Sequence, residues 1–251
     1  MLQVDLNFVG FEELVKKLDM RKERVQRAVV DALNRTGSGV LDALTAEMST
    51  AFDRPTPYTL GSLRLDRATS SNMFARIAPK DFAGKGTPAK NYLGPEIFGG
   101  ERHEKRSEVA LRSRGILPAG LYTAPGKGAT LDAYGNQSVG EIRQILSYFG
   151  SAEMTAGYTS NMTDKTRARL ARGTKKQGFG YSYFVIRTHQ GNLAPGIYKK
   201  LNFAAGHAIK PILMFVKKPT YSKRYRWHEV AGTTARQMFE RYLVEELAKG
   251  I

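Results

Sequence analysis

The chain has 251 residues, enough for one large domain or for a domain carrying a substantial insertion. Hydrophobic residues make up 41% of it and aromatics 10%, which supplies a core and argues against global disorder, and the absence of cysteine excludes disulfides and thiolate-ligated zinc or iron–sulfur centres. The formal net charge is +16, and fifteen Lys/Arg against a single acid, Asp164, give residues 161–226 a net of +14, which points to a polyanion or an acidic partner surface.

Residues 3–9 alternate, with Val4, Leu6 and Phe8 on one face, and read as a short half-buried strand. The start of the chain has an early acid and no small-residue cleavage site, so no signal peptide is expected, and no apolar run approaches the ~18 residues of a membrane span. A helix is predicted from about residue 11, with Asp19 capping a restart near Met20. Its stripe continues through Val25, Val29, Leu33, Val40, Leu44, Met48 and Phe52 at helical spacing. Thr36–Gly39 puts two glycines inside it, at a cost of ~1 kcal/mol each against Ala. Close packing of a crossing element, or a bend, is the expected compensation.

The "FDRPTPYT" stretch then stops the helix. Pro55 holds Arg54 extended, and the two prolines bar both helix and sheet interior, making a rigid corner into a strand carrying Leu63 and Leu65. Residues 71–81 read as a strand and 81–100 as a long Gly/Pro-rich loop. A charged helix is expected near 101–114, loop over 115–136, and a helix over 138–154 opened by a capping box of Ser138 and Glu141. Residues 158–180 are apolar-poor and basic, a mobile arm. Strands follow at 181–188, 196–201 and 210–219, the first two joined by a hairpin loop. The last helix spans 227–249, ended by Gly250. The fold class is therefore α+β: a small antiparallel sheet packed by long N- and C-terminal helices, with a helical, loop-rich insertion. Residues 1–80 and 181–251 form the core domain, and 81–180 the insertion.

No local pattern announces catalysis. His103, His189, His207 and His228 are far apart, and none sits in a His-x-x-x-His or Glu-x-x-His helix motif. The glycine-rich pieces at 84–90 and 125–132 lack the spacing of a phosphate-binding loop. Two-metal nuclease chemistry needs converging carboxylates, and the basic third holds one acid. Glu101, Glu104 and Glu141 form the nearest polar constellation, with surface charge as their simpler role. Aromatics interleave with the cations as in single-strand stacking platforms, although alternation makes Phe184 and Phe215 core residues. The chain is read as a non-enzyme that needs no cofactor.

From about residue 28 onward the sequence resembles the tailed-phage minor tail protein Z family. The likeness rests on "ALNRTGSG" leading into "FDRPTPYT", on "YLGP" with "GGERHEKR", on "LDAYGN", and on "PGIYKKL" and "KPILMFVKKPTYSKRY". The resemblance implies a virion component of the tail or head–tail junction, assembled in the host cytoplasm. It implies a homo-oligomeric ring around the DNA channel, other phage tail and neck proteins as partners, transient nonspecific contact with DNA, and no membrane. It brings no catalytic residues. Arg54, Tyr58, Arg102, His103 and Arg106 are the candidate subunit contacts. The candidate basic surface comprises Arg167, Arg169, Arg172, Lys175, Lys176, Lys199, Lys200, Lys217, Lys218, Lys223, Arg224 and Arg226. The alternatives are a DNA-binding or packaging protein using the 161–226 surface, and a metal-dependent nuclease.

Overall fold

The apolar stripe running from Val25 to Met48 lies on one continuous helix in a computed structural model, which describes residues 2–18, 20–80, 87–152 and 161–249. The elements in chain order are β1 (Val4–Asn7), α1 (Phe11–Leu18), α2 (Lys22–Ala51), α3 (Pro57–Leu60), β2 (Leu63–Asp66), β3 (Phe74–Pro79), α4 (Ala89–Phe98), β4 (Gly100–Glu101) and α5 (Arg106–Ser113). They continue with β5 (Leu121–Pro125), α6 (Val139–Tyr148), α7 (Asp164–Arg172), β6 (Gly180–Ile186), β7 (Gly196–Phe203), β8 (Gly206–Lys217), β9 (Thr220–Tyr221) and α8 (Trp227–Ala248). The fold is mixed α+β with antiparallel sheets and long helices near both ends. It divides into two compact units, residues 1–100 with 221–251, and residues 101–220.

In the first unit, α2 lies against the sheet β1-β3-β2, whose register places Leu6 opposite Ala75 and Leu65 opposite Ile77. Helix α8 packs on α2 as well. The two helix glycines make this possible. A Cβ on Gly37 would stand 2.8 Å from Leu65 Cδ1, and one on Gly39 would stand 2.3 Å from Met238 Sδ. One glycine therefore admits the sheet and the other admits α8, which is the close packing that offsets their poor helix propensity. The expected break near Met20 is present between α1 and α2, while Asp19 and Gly250 lie outside the described residues. Trp227 and Tyr225 fill the core beside Leu44, Met48, Leu93 and Ile97.

In the second unit, the order β5-β8-β7-β6 makes a four-stranded antiparallel sheet with a bulge at Ile197/Tyr198. Leu111 of α5, Ile145 of α6 and Leu170 of α7 pack on the sheet face that carries Tyr181, Tyr183, Ile197 and Leu201.

Several expectations are corrected. The strands at 181–217 group with residues 101–180, not with the N-terminal sheet, so the units divide at 100/101 and 220/221 instead of 80/81 and 180/181. Residues 89–98, read as loop, are a helix that buries Ala89, Leu93 and Ile97 at four-residue spacing despite Pro95 inside it. Residues 81–86 of that stretch lie outside the described residues. The supposed loop over 115–136 contains β5, whose short sequence carries too little alternation to be seen alone. The basic arm is ordered from Asn161 onward as α7 and a turn, with residues 158–160 outside the described range. Ser138 does not cap α6 with its side chain; Glu141 instead accepts hydrogen bonds from Thr130 N–H (3.0 Å) and Gln137 Nε2 (2.9 Å).

Candidate contact surfaces

The corner after α2 is built by side chains of its own. Phe52 ends the helix, its N–H bonded to Met48 O, and packs edge-on against Tyr225 at 5.6 Å. Arg54 has φ +47°, the left-handed region, where an extended backbone was expected before proline. Strain of this kind costs on the order of 1–3 kcal/mol and persists only where the surroundings enforce it. The bend leads into Thr56, which accepts the Thr59 N–H (3.1 Å) and caps α3. Pro57 then occupies the first helical position, where no donor is needed. The result leaves the Arg54 guanidinium exposed beside Asp53 and leaves Tyr58 53% exposed, with its hydroxyl on Thr87 O at 3.3 Å.

Of the other candidate contacts, Arg102 turns inward. It is only 12% exposed and grips Glu108, itself fully buried, through Nη1 at 2.8 Å and Nη2 at 2.5 Å. The same carboxylate accepts from Lys105 N–H (2.7 Å), Thr123 N–H (2.7 Å) and Thr123 Oγ1 (3.0 Å). Burial alone would raise this carboxyl, but the Arg102 guanidinium and the two backbone N–H groups outweigh it and hold Glu108 down at about 2. Arg102 and Glu108 thus form a structural hub that ties α5 to the outer edge of β5. Arg112 completes that edge, donating to Pro118 O (2.5 Å), Leu121 O (2.8 Å) and Glu104 (2.7 Å). His103 and Arg106 remain exposed beside the hub.

Residues 130–141 form a second display surface that sequence reasoning did not single out as a contact. Asp132 Oδ1 accepts from Tyr134 N–H (2.9 Å) and Asn136 N–H (2.8 Å), which fixes the "LDAYGN" turn. Glu141 holds its flanks as described. On this frame Leu131 is 50% exposed, Val139 61% exposed, and Tyr134 is exposed between them.

The basic residues are divided between the two units, and several of them are already paired. Arg224 pairs with Glu96 and Arg226 with Glu47 (2.9 and 3.0 Å), both inside the first unit, where Lys223 also lies. Lys218 pairs with Glu101, and Arg167 with Asp164. Lys199 points into the second unit, its Nζ 4.1 Å from the Tyr181 ring centre. Gln144 bridges there between the Tyr181 hydroxyl (2.5 Å) and the Tyr183 hydroxyl (3.0 Å), and burial lowers the Lys199 amine. Lys200 is half-buried on the other sheet face, opposite Ser182, and Lys217 is exposed at the end of β8. Arg169, Arg172, Lys175 and Lys176 stay exposed and close in sequence on α7 and its following turn. The second unit nevertheless holds most of the excess charge: nineteen Lys/Arg against seven acids, a net of +12.

Among the described residues no three His, Asp or Glu side chains come together as a metal cradle, and no helix is long and apolar enough to cross a membrane. A groove of about 850 Å³ between α2 and α8 is lined by both signs of charge, including Asp31, Arg35, Asp42, Arg67, Glu246 and Lys249. Comparison of the chain with family models, curated proteins and solved structures finds no match.

Proposed function

We propose that the chain is a structural component of a bacteriophage virion, a tail completion or neck protein that forms a ring through which DNA passes. One observation carries this reading. Two of the segments that bear the likeness to the minor tail protein Z family, "FDRPTPYT" and "LDAYGN", are held by their own hydrogen bonds while presenting large apolar side chains to solvent. A turn that only reverses the chain has no use for Leu131, Tyr134 and Val139 exposed together, and the Tyr58 ring stays exposed although its hydroxyl bonds Thr87 O. Rigid loops displaying aromatic and aliphatic groups are what subunit interfaces are made from. A head-to-tail ring needs two different patches per subunit, and these two segments supply two. The role is architectural and uses no catalytic residue or cofactor.

Native mass spectrometry of the purified chain over a concentration series tests the proposal. Closed rings of a single copy number are expected. Y58S and the double substitution L131S/V139S replace exposed side chains, so both variants keep their unfolding transition and lose the ring. A wild-type chain that stays monomeric up to ~100 μM, where specific interfaces of standard size are populated, sinks the ring. Location of the chain outside the tail and neck in a cryo-EM map of the particle sinks the virion role.

A further inference from the structure

Helix α7 is held at its start by its own cap and by α6, and at its end by the sheet. Thr163 accepts the Thr166 N–H at its start (3.2 Å), and Arg167 reaches back to Tyr148 O (2.9 Å). Leu170 enters the core, and Asn202 Nδ2 donates to Ala171 O (3.2 Å). The helix end and the start of β6 touch backbone to backbone. A Cβ on Gly173, at φ +74°, would lie 2.1 Å from Phe179 O, and one on Gly180 would lie 1.9 Å from Ala171 O. A segment of this composition would wander if free, and here it is fixed.

This docking sorts the side chains. Arg167 and Leu170 go inward, whereas Lys165, Arg169 and Arg172 fall on successive outward turns and Lys175 and Lys176 continue them in the turn at 174–178. All five are exposed, and none has an acidic partner among the described residues. The one acid of the segment, Asp164, is taken by Arg167. Like charges on adjacent turns weaken a helix by a few tenths of a kcal/mol per pair. The helix dipole favours Arg169 and Arg172 in the last turn, but it disfavours Lys165 in the first and does not reach Lys175 or Lys176.

We propose that this ridge binds the phosphodiester backbone of nucleic acid, independently of sequence. A protein interface takes most of its strength from an apolar or aromatic anchor at its centre; between the cations the outward positions of α7 offer only Ala168, and the exposed aromatic near the turn, Phe203, lies off the helix. A row of cations alone matches a repeating polyanion, where each neutralised phosphate releases a counterion. Lysine and arginine contacts to phosphate position a backbone without reading bases, and the exposed Gln177 is the one amide side chain in the turn that carries Lys175 and Lys176. The exposed Phe203, whose ring lies 5.5 Å from that of Phe179 just after the turn, adds a stacking surface that a single strand can use and a duplex cannot. The inference does not rest on ring formation, since one subunit carries the whole ridge.

The test is fluorescence anisotropy of the full chain with a labelled 30-base-pair duplex and its single strand, from about 50 to about 300 mM salt. Binding with a steep salt dependence is expected. The triple substitution R169Q/R172Q/K176Q should flatten the slope of log K against log salt by roughly 2.7 on the duplex and roughly 2.1 on the strand. Lysine variants R169K/R172K should keep the slope. The control R21Q/R27Q/R236Q removes three exposed cations from the first unit and should leave it unchanged. F203A weakening the strand alone assigns the unpaired strand as the preferred form; no effect on either assigns the duplex. Equal flattening by both triples, or no binding at ~50 mM salt, overturns the proposal.

Discussion

Substituting Glu108→Gln tests how far one buried carboxylate holds the second unit together. Its oxygens accept five hydrogen bonds, two from Arg102, two from backbone N–H groups and one from the Thr123 hydroxyl. An amide keeps one acceptor oxygen and turns two donors toward groups that are themselves donors, so at least two of these bonds fail and Arg102 loses its counter-charge. Removing one partner of a buried pair costs on the order of 3–5 kcal/mol. The depressed carboxyl gives an independent figure. From 4.5 to about 2, its linkage to folding contributes about 3 kcal/mol at neutral pH. Because the folded value lies below the unfolded one, this contribution is complete above about pH 5 and drains away as the pH falls toward 2. Urea unfolding at several pH values measures it, followed by near-UV circular dichroism for the buried tyrosines of the second unit. Fluorescence of Trp227, the only tryptophan and fully buried, reports the first unit separately. At pH 7 the variant should lose ~3–5 kcal/mol in the tyrosine signal, and by pH 3.5 the gap should narrow by roughly 1 kcal/mol. A variant as stable as wild type at pH 7, or a gap that does not change with pH, refutes the hub.

Glycine positions separate rigid from yielding contacts. Gly180→Ala drives a Cβ into the Ala171 carbonyl, a backbone atom, and should cost at least ~2 kcal/mol. Hydrogen exchange should show protection lost along α7. Gly39→Ala meets only the tip of Met238 and gains helix propensity, so its unfolding free energy should stay within ~1 kcal/mol of wild type. Arg54→Gly removes the left-handed strain at the corner, and the monomer should unfold within ~1 kcal/mol of wild type or later. A larger loss would mean that the Arg54 side chain, not the backbone turn, sustains the corner. Arg112→Ala frees the Pro118 and Leu121 carbonyls and should speed hydrogen exchange across β5 with a loss of ~2 kcal/mol.

Periodicity by itself determined the long elements. The seven- and four-residue steps through Val25, Leu33, Val40 and Met48 fix α2, and the β-branched and aromatic runs fix β6, β7 and β8, because thirty or even seven residues of one pattern outvote local exceptions. The glycines at 37 and 39 were legible too, since a helix tolerates two of them only against something close. Short elements were not. Pro95 and its glycine neighbours hide α4, whose buried Ala89, Leu93 and Ile97 make sense only once Tyr225 and Trp227 stand against them. Strand β5 is ordered by pairing with β8, which no local window contains, and by Glu108 and Arg112 on its other edge.

Charge shows the same division. Composition located a basic third of the chain, because counting requires no geometry. Only the tertiary structure decided which cations are spent, sending Arg102 and Lys199 inward and pairing Arg224 and Arg226 with Glu96 and Glu47, far away in sequence. It also turned an apolar-poor arm into a fixed ridge, through one leucine in a core and two glycines close enough to let backbones touch. A net charge is a sum over the chain, whereas a surface depends on which side chains packing has already used.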